Sequence, residues 1–352
     1  FQTMSYTIDI YRRKEVPARN LSEFACYASF FPQLVAGPIV RFSQFRNQVA
    51  EPFGFRKASN KIAITLIVYG LAKKMIFADN FAFHVDSIFS GETDLRNPVT
   101  VYWGSLLFGL QIYCDFSAYT DIAIGSALLV GIKIPENFRS PYKSTSPQEF
   151  WRRWHITLST WLRDYLYISL GGNRFGVSRM FLALMTTMFI GGLWHGASWN
   201  FVFWGLFHGL LLVIHRYGKG LAINDYLKSN FVSFHWFLCW LLTQWSIFFG
   251  WLIFRVEDTT ILFRTMKSYV IYDVEISFSE SMILLPGRNN LTFILLIVFI
   301  FGHIYSSRID GSLKYHMSRI PGRYWGAMMG IILTFSLILR PMEATEFIYF
   351  RF

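Results

Sequence analysis

The sequence predicts an all-α, polytopic integral membrane protein, and three observations carry that prediction. Of its 352 residues, 53% are hydrophobic and only 16% charged, against about 25% charged in soluble domains, and the mean hydropathy is +0.34. Residues 180–215 contain no Asp, Glu, Lys or Arg, and Arg179 and Arg216 close the run at either end. Further apolar runs recur along the whole chain with no polar linker long enough to divide it, so residues 1–352 read as a single membrane-embedded domain. The formal net charge of +11 resides in short Lys/Arg clusters between apolar runs, the pattern of loops retained on the cytoplasmic side rather than of a nucleic-acid interface. Cys26, Cys114 and Cys239 lie in or beside apolar stretches without CxxC spacing, which predicts neither a disulfide framework nor a metal site.

The elements follow in order. The chain opens at Phe1, and its first twenty residues lack the apolar core of a signal peptide, so further N-terminal sequence is expected before it. Tyr6 to Lys14 is a polar approach ending in three bases. Phe24 to Val40 is apolar but carries Pro32, Gly37 and Pro38, which predict a broken helix. After the basic stretch Arg41 to Lys61, Ile62 to Ala78 forms a span interrupted by Lys73 and Lys74, expected at an interface. Pro98 to Cys114 is the next crossing. Gln111 to Gly125 then places Asp115 and Asp121 inside apolar sequence that continues to Ile132. Carboxylates at such depth face the bundle interior, either to satisfy backbone groups freed at a helix break or to serve function.

Pro135 to Pro147 is a polar connection. Ser146-Pro147-Gln148-Glu149 is an S-x-x-E capping box with proline at the first helical position, so a helix should start there and end by Gly171-Gly172. At 100° per residue, Trp151, Trp154, His155, Leu158, Trp161, Leu162 and Tyr165 share one face of it, with His155 in the middle. A lone histidine on an apolar face is more often a packed core residue than a catalyst, and only a second histidine shifts that balance. The uncharged run 180–215 supplies it. The run is too long for one crossing and is interrupted at Gly191-Gly192 and His195-Gly196, so two helices are expected, the first (Met180 to Leu193) too short to span. His195 falls in the break, at membrane depth beside Trp194 and Trp199. Phe231 to Phe254, Asn289 to Ser307 and Tyr324 to Leu339 add crossings, Arg255 to Arg288 reads as amphipathic, and roughly eight to ten membrane segments result.

Two histidines without metal-ligand spacing point to proton transfer. A neutral imidazole takes the proton of a hydroxyl as its oxygen attacks an activated acyl group, help worth about 10²- to 10⁴-fold. No GxSxG elbow is present, so direct transfer is simpler than a serine acyl-enzyme. Asn200 is a candidate donor to negative charge on the acyl oxygen, Trp194 and Trp199 fit packing best, and His208 reads more readily as packing on a glycine-flanked helix than as chemistry.

At these residues the sequence resembles the membrane-bound O-acyltransferases (MBOAT), within them the branch of bacterial polysaccharide O-acetyltransferases typified by the alginate acetylation membrane subunit. The likeness runs through YTIDIYR (6–12), FFPQLVAGPIVRF (30–42), QIYCDFSAYTDIAIG (111–125), NFRSPYKSTSPQEFWRRWHITLSTWLRDYLYISLGGNR (137–174), GLWHGASWNFVFWGLFHG (192–209) and the terminal FIYFRF. It implies a bundle with broken and re-entrant helices around a central funnel. It also implies that His195 matches the family's essential histidine, that His155 matches the second histidine of this branch, and that His208 lies in the same motif. Members of the branch resemble longer chains with several membrane segments ahead of YTIDIYR, so those segments are expected to be missing here.

The resulting expectation is O-acyl transfer, with no bound cofactor, from a cytoplasmic thioester such as acetyl coenzyme A to a hydroxyl of an extracytoplasmic polysaccharide or of a periplasmic or extracellular partner protein. The alternatives are an acyl-relay or channel subunit, D-alanyl transfer to a cell-wall polymer as in a related member, and a lipid or glycan transporter driven through the intramembrane acids. Between Arg139 and Arg179 seven Arg/Lys face only Glu149 and Asp164, which puts this connection on the cytoplasmic side of a bacterial inner membrane.

Overall fold

The computed structural model describes residues 1–49, 57–90, 94–220, 222–271, 289–309, 317, 319–342 and 346–348, and among these every regular element is helical. The N-terminal part is built of short pieces: α1 (Gln2–Tyr11), α2 (Leu21–Ala28), a 3₁₀ turn (Phe31–Gln33) and α3 (Phe42–Val49). Asn20 starts α2 by accepting a hydrogen bond from the Glu23 N–H. As Pro32 and Gly37 predict, the helix over residues 24–40 is broken, α2 ending at Ala28 and only the 3₁₀ turn following. The chain folds back so tightly that a Cβ on Gly37 would lie 2.1 Å from the Pro32 carbonyl oxygen.

A long rod follows, α4 (Lys57–Ala72) running through a π turn (Lys73–Ala78) directly into α5 (Asp79–Phe89), and it packs along α6 (Pro98–Leu129). Asn97 caps α6 and Pro98 occupies its first turn. The crossing expected at 98–114 and the acidic stretch behind it form one helix of 32 residues, because nothing between them interrupts the backbone ladder. At about 1.5 Å per residue it outreaches the hydrocarbon core by half again. The expectation that Lys73 and Lys74 sit at an interface fails. Lys74 is buried, and both lysines turn towards carboxylates of the bundle, Lys73 to Asp121 and Lys74 to Asp79 and Asp115 at 2.9 Å each.

The helix expected from Ser146 to Gly171 starts as its capping box dictates, the Ser146 side chain accepting from the Glu149 N–H, but it does not run through. It divides into α7 (Pro147–Arg153) and α8 (Ile156–Trp161), with a π turn (Leu162–Tyr167) closing it, and His155 between them takes the left-handed conformation, φ 41° and ψ 55°. The face named from the sequence is nonetheless the buried one.

Next come α9 (Val177–His195) and α10 (Trp199–Gly218). Their break lies after His195, and α9 passes unbroken through Gly191-Gly192. With 19 residues it is long and apolar enough to cross a membrane, against the expectation of a short first piece. The glycines serve close approach instead: a Cβ on Gly192 would meet the Phe201 carbonyl at 2.3 Å, and one on Gly205 the Met188 carbonyl at 2.4 Å. After α11 (Ala222–Asn230), α12 (Val232–Arg255) packs on α6 and α10, followed by α13 (Thr259–Val270), α14 (Asn289–Ile309) and α15 (Gly322–Leu339). Four helices among the described residues, α9, α10, α12 and α15, have the length and composition to cross a membrane, fewer than the eight to ten segments expected. Residues 272–288 of the amphipathic stretch 255–288 lie outside the described residues.

Candidate active site

The largest apolar cluster gathers where α6, α7, α10 and α12 meet, and its wall carries both histidines. Trp154 packs on Trp251 with ring centroids 4.7 Å apart and on Phe150 at 5.6 Å. His195, the last residue of α9, meets Trp204 and Phe254 edge-on, each at 5.0 Å. His155 is buried and receives Phe116 of α6 edge-on at 4.7 Å. Both imidazoles are thus enclosed among aromatic rings, and the neutral imidazole is the form that acts as a general base.

Three cavities share lining residues in this region. A small one of about 20 Å³, room for a water-sized group, is lined by His155, His195, Trp204 and Trp251. Both histidines also line a cleft of about 210 Å³ with Phe1, Gln2, Gly37, Ile39 and Trp194. The small cavity in turn shares Trp151, Leu162 and Met188 with a wider cleft of about 530 Å³, whose rim carries Arg152, Arg163, His215, Arg216 and Lys219. Both histidines thus line the small cavity and the 210 Å³ cleft, and the small cavity shares three lining residues with a basic cleft.

Short-range contacts fix the elements that carry His155. Glu149 pairs with Arg153 at 2.8 Å and accepts from the Thr145 N–H. Burial pushes its carboxyl up, but the Thr145 and Arg153 hydrogen bonds outweigh that and hold it below the usual range. Asp164 in the π turn likewise feels burial upward, yet Arg163 and Arg41 bring it below its ordinary value, and Arg41 ties the loop before α3 to this segment. The Tyr165 hydroxyl donates to Asp9 of α1.

The other residues named from the sequence fall elsewhere. Trp194 is 43% exposed and lines the 210 Å³ cleft, whereas Trp199 is 66% exposed and lies tilted against Phe203 with ring centroids 6.3 Å apart. Asn200 is fully buried and its amide donates to the Phe254 carbonyl at 2.9 Å, bracing α12 behind His195. His208 packs between Trp151 and Trp204, at 5.1 and 4.7 Å, and against Gly250, where a Cβ would come within 2.8 Å of its Nε2. Asp115 is held in the bundle by Lys74 and the Ile348 N–H, and Asp121, beside Lys73, lines a separate cavity of about 310 Å³. Two residues escaped sequence reasoning. Trp204, with a buried indole N–H that has no acceptor among the described residues, lines the small cavity. Asn137, hidden in a polar connection, bonds directly to His155. Among the described residues no His, Cys, Asp and Glu side chains gather in a metal-ligating group.

A membrane-embedded helical bundle with paired histidines lining two shared cavities defines the class, and comparison with known proteins gives the family. Residues 17–222 match MBOAT, the membrane-bound O-acyltransferase family, and the chain belongs to it. It is 41% identical over 298 residues to a probable alginate O-acetylase of Pseudomonas fluorescens, covering 83% of this chain and 56% of that one. It is 40% identical over 250 residues to a peptidoglycan O-acetyltransferase of Helicobacter pylori, covering 70% and 46%. A teichoic acid D-alanyltransferase of Streptococcus thermophilus is 30% identical over 213 residues, covering 56% and 50%. The chain spans about half the length of these curated relatives.

Proposed function

We propose that this chain carries the transfer centre of an O-acyltransferase of the bacterial inner membrane, moving an acetyl group from a thioester to a hydroxyl of a cell-surface polysaccharide or of a partner protein outside the cell. The observation that carries the reading is that His155 and His195 line the same two cavities, the smaller of which shares Trp151, Leu162 and Met188 with a basic cleft. The basic cleft suits a donor whose thioester is attached to phosphates, as in coenzyme A or phosphopantetheine, because Arg152, Arg163, Arg216 and Lys219 provide the countercharge. The acceptor hydroxyl enters from the side of Trp194.

One imidazole nitrogen removes the hydroxyl proton as the oxygen forms its bond to the thioester carbonyl carbon. Charge gathers on the carbonyl oxygen, for which the Trp204 indole N–H is the available donor, and the C–S bond breaks as the thiolate leaves with the proton. The names of the alginate and peptidoglycan relatives favour acetyl over D-alanyl, since they match at 40–41% identity against 30% for the D-alanyl relative. The proton-driven transporter alternative loses its basis, because Asp115 and Asp121 are engaged by Lys74 and Lys73.

The test is mass spectrometry of surface polysaccharide from cells carrying the intact full-length gene, no gene, or the gene with His195→Ala. Ester present only with the intact gene is the expected result. Esters that persist with His195→Ala reject direct transfer and leave a relay. The orientation, with 139–179 cytoplasmic, is tested by Lys143→Cys in intact cells, which should react only with a membrane-permeant thiol reagent.

A further inference from the structure

His155 makes one hydrogen-bond contact through its ring, Nδ1 to Asn137 Oδ1 at 3.1 Å. Which atom holds the proton follows from the rest of the Asn137 environment. The backbone N–H of Thr157 lies 3.1 Å from the same Asn137 atom, and a backbone N–H only donates. The amide of Asn137 is therefore turned with its oxygen towards α8, and the opposite flip would set the amide NH₂ against the Thr157 N–H. The Thr157 hydroxyl, itself accepting from the Ile39 N–H at 3.1 Å, adds a second bond to that oxygen at 2.9 Å. An oxygen cannot donate to an imidazole nitrogen, so the His155 nitrogen facing it carries the hydrogen.

We infer that Asn137 is a positioning residue that locks His155 as the Nδ1–H tautomer and thereby leaves Nε2 as the bare, basic nitrogen of the transfer centre. The same residue also holds the backbone that presents the ring. Its carbonyl accepts from the Ile156 N–H at 2.9 Å, and with the Oδ1 bond to Thr157 it satisfies two of the open donors at the start of α8. Those bonds over-determine the left-handed turn at His155, a conformation that a residue with a Cβ adopts at a cost of about 1–2 kcal/mol. Its Nδ2 is buried without a partner among the described residues, a penalty the fold accepts to keep the oxygen where it is. In free histidine the Nε2–H form prevails, so the protein reverses the intrinsic preference here.

This inference rests on the acyl-transfer reading only for its catalytic consequence, and the test separates the two. Full-length protein with ¹⁵N-labelled histidine, reconstituted in bilayers, is measured by solid-state NMR as wild type, Asn137→Ala and Asn137→Asp, with His155→Gln identifying the signal. Wild type should show Nδ1 protonated and Nε2 bare. Asn137→Ala should shift the ring predominantly to Nε2–H and lower acyl transfer by about 10-fold or more, as loss of a tautomer-fixing partner does. Asn137→Asp keeps the accepting oxygen and adds charge that stabilises the imidazolium. It should retain Nδ1–H, transfer within about 3-fold of wild type at its plateau, and move the acid limb of the pH–rate profile to higher pH. A wild-type His155 protonated at Nε2, or Asn137→Ala that keeps Nδ1–H, overturns the assignment. Should Asn137→Ala not fold, the wild-type spectrum decides the tautomer and the Asn137→Asp acid limb decides its role. Absence of acyl transfer in every form, with the tautomers as stated, rejects the functional reading and not the positioning of His155.

Discussion

Two buried polar regions of this molecule answer the same problem in opposite ways. Along the α4–α5 rod and α6, Lys73 and Lys74 pair with Asp79, Asp115 and Asp121 across unbroken helices, with a π turn to aim the lysines. Around His155 and His195 the helices are interrupted and the side chains line cavities. The difference teaches how to tell structure from function at membrane depth. Charges that close on each other hold helices together, whereas neutral titratable rings at helix breaks, facing open volume, are available for work.

That contrast is open to breakage, and the largest effect belongs to the ionic region. Lys74→Ala strips the partner from Asp79 and Asp115 and should destabilise the protein by about 3–5 kcal/mol, read as a fall in thermal midpoint in detergent and in folded yield. The combined Lys74→Met/Asp115→Leu/Asp79→Leu variant should recover much of it. A Lys74→Ala protein as stable as wild type would mean that the cluster is wet and unimportant. Next in size, His195→Ala should reduce acyl transfer by about 10²-fold or more with an unchanged midpoint, which is the reverse signature. His155→Ala should also impair turnover, and the double variant should lose less than the product of the two if the rings act as a unit.

A smaller effect tests the edge of the ionic region. Asp121→Asn, at a side chain only partly enclosed, should cost about 1–2 kcal/mol, while Asp225→Asn on exposed α11 should be neutral. Equal tolerance in the two melting curves would place Asp121 outside the bundle's electrostatics. The smallest effect concerns backbone strain. His155→Gly and His155→Ala both remove the imidazole, but Gly accepts the left-handed conformation, so it should be about 1 kcal/mol more stable than Ala while both are impaired in transfer. Equal stability of the pair would show that the turn relaxes.

Much of this was legible before any coordinates. The absence of charge from 180 to 215 announced a helix break at His195, and the apolar face of the segment after the Ser146 cap announced a buried His155. Local rules failed where long-range contacts decide. Nothing between Phe150 and Thr160 marks a break, since neither Gly nor Pro stands at 154–155, and the left-handed turn exists because Asn137, 18 residues earlier, supplies the bonds. Lys73 and Lys74 looked like residues of a helix end because adjacent bases normally seek water, and only the distant acids of α6 make their burial tolerable. Asn200 had the right chemistry for an oxyanion donor, yet its amide is turned to the backbone of α12, a partner 54 residues away.

The anchoring of residues 346–348 in the bundle has a consequence for how the protein is made. Lys74 donates to the Glu346 carbonyl at 3.2 Å and lies over the Phe347 ring, while Asp115 accepts from the Ile348 N–H, 233 positions downstream of it. At about 5–20 residues per second, synthesis from Asp115 to Ile348 takes on the order of 10 to 50 s. Throughout that interval the nascent helices are threaded into the bilayer with this berth unfilled. The rod and α6 must hold together through their own ion pairs until translation delivers the last occupant.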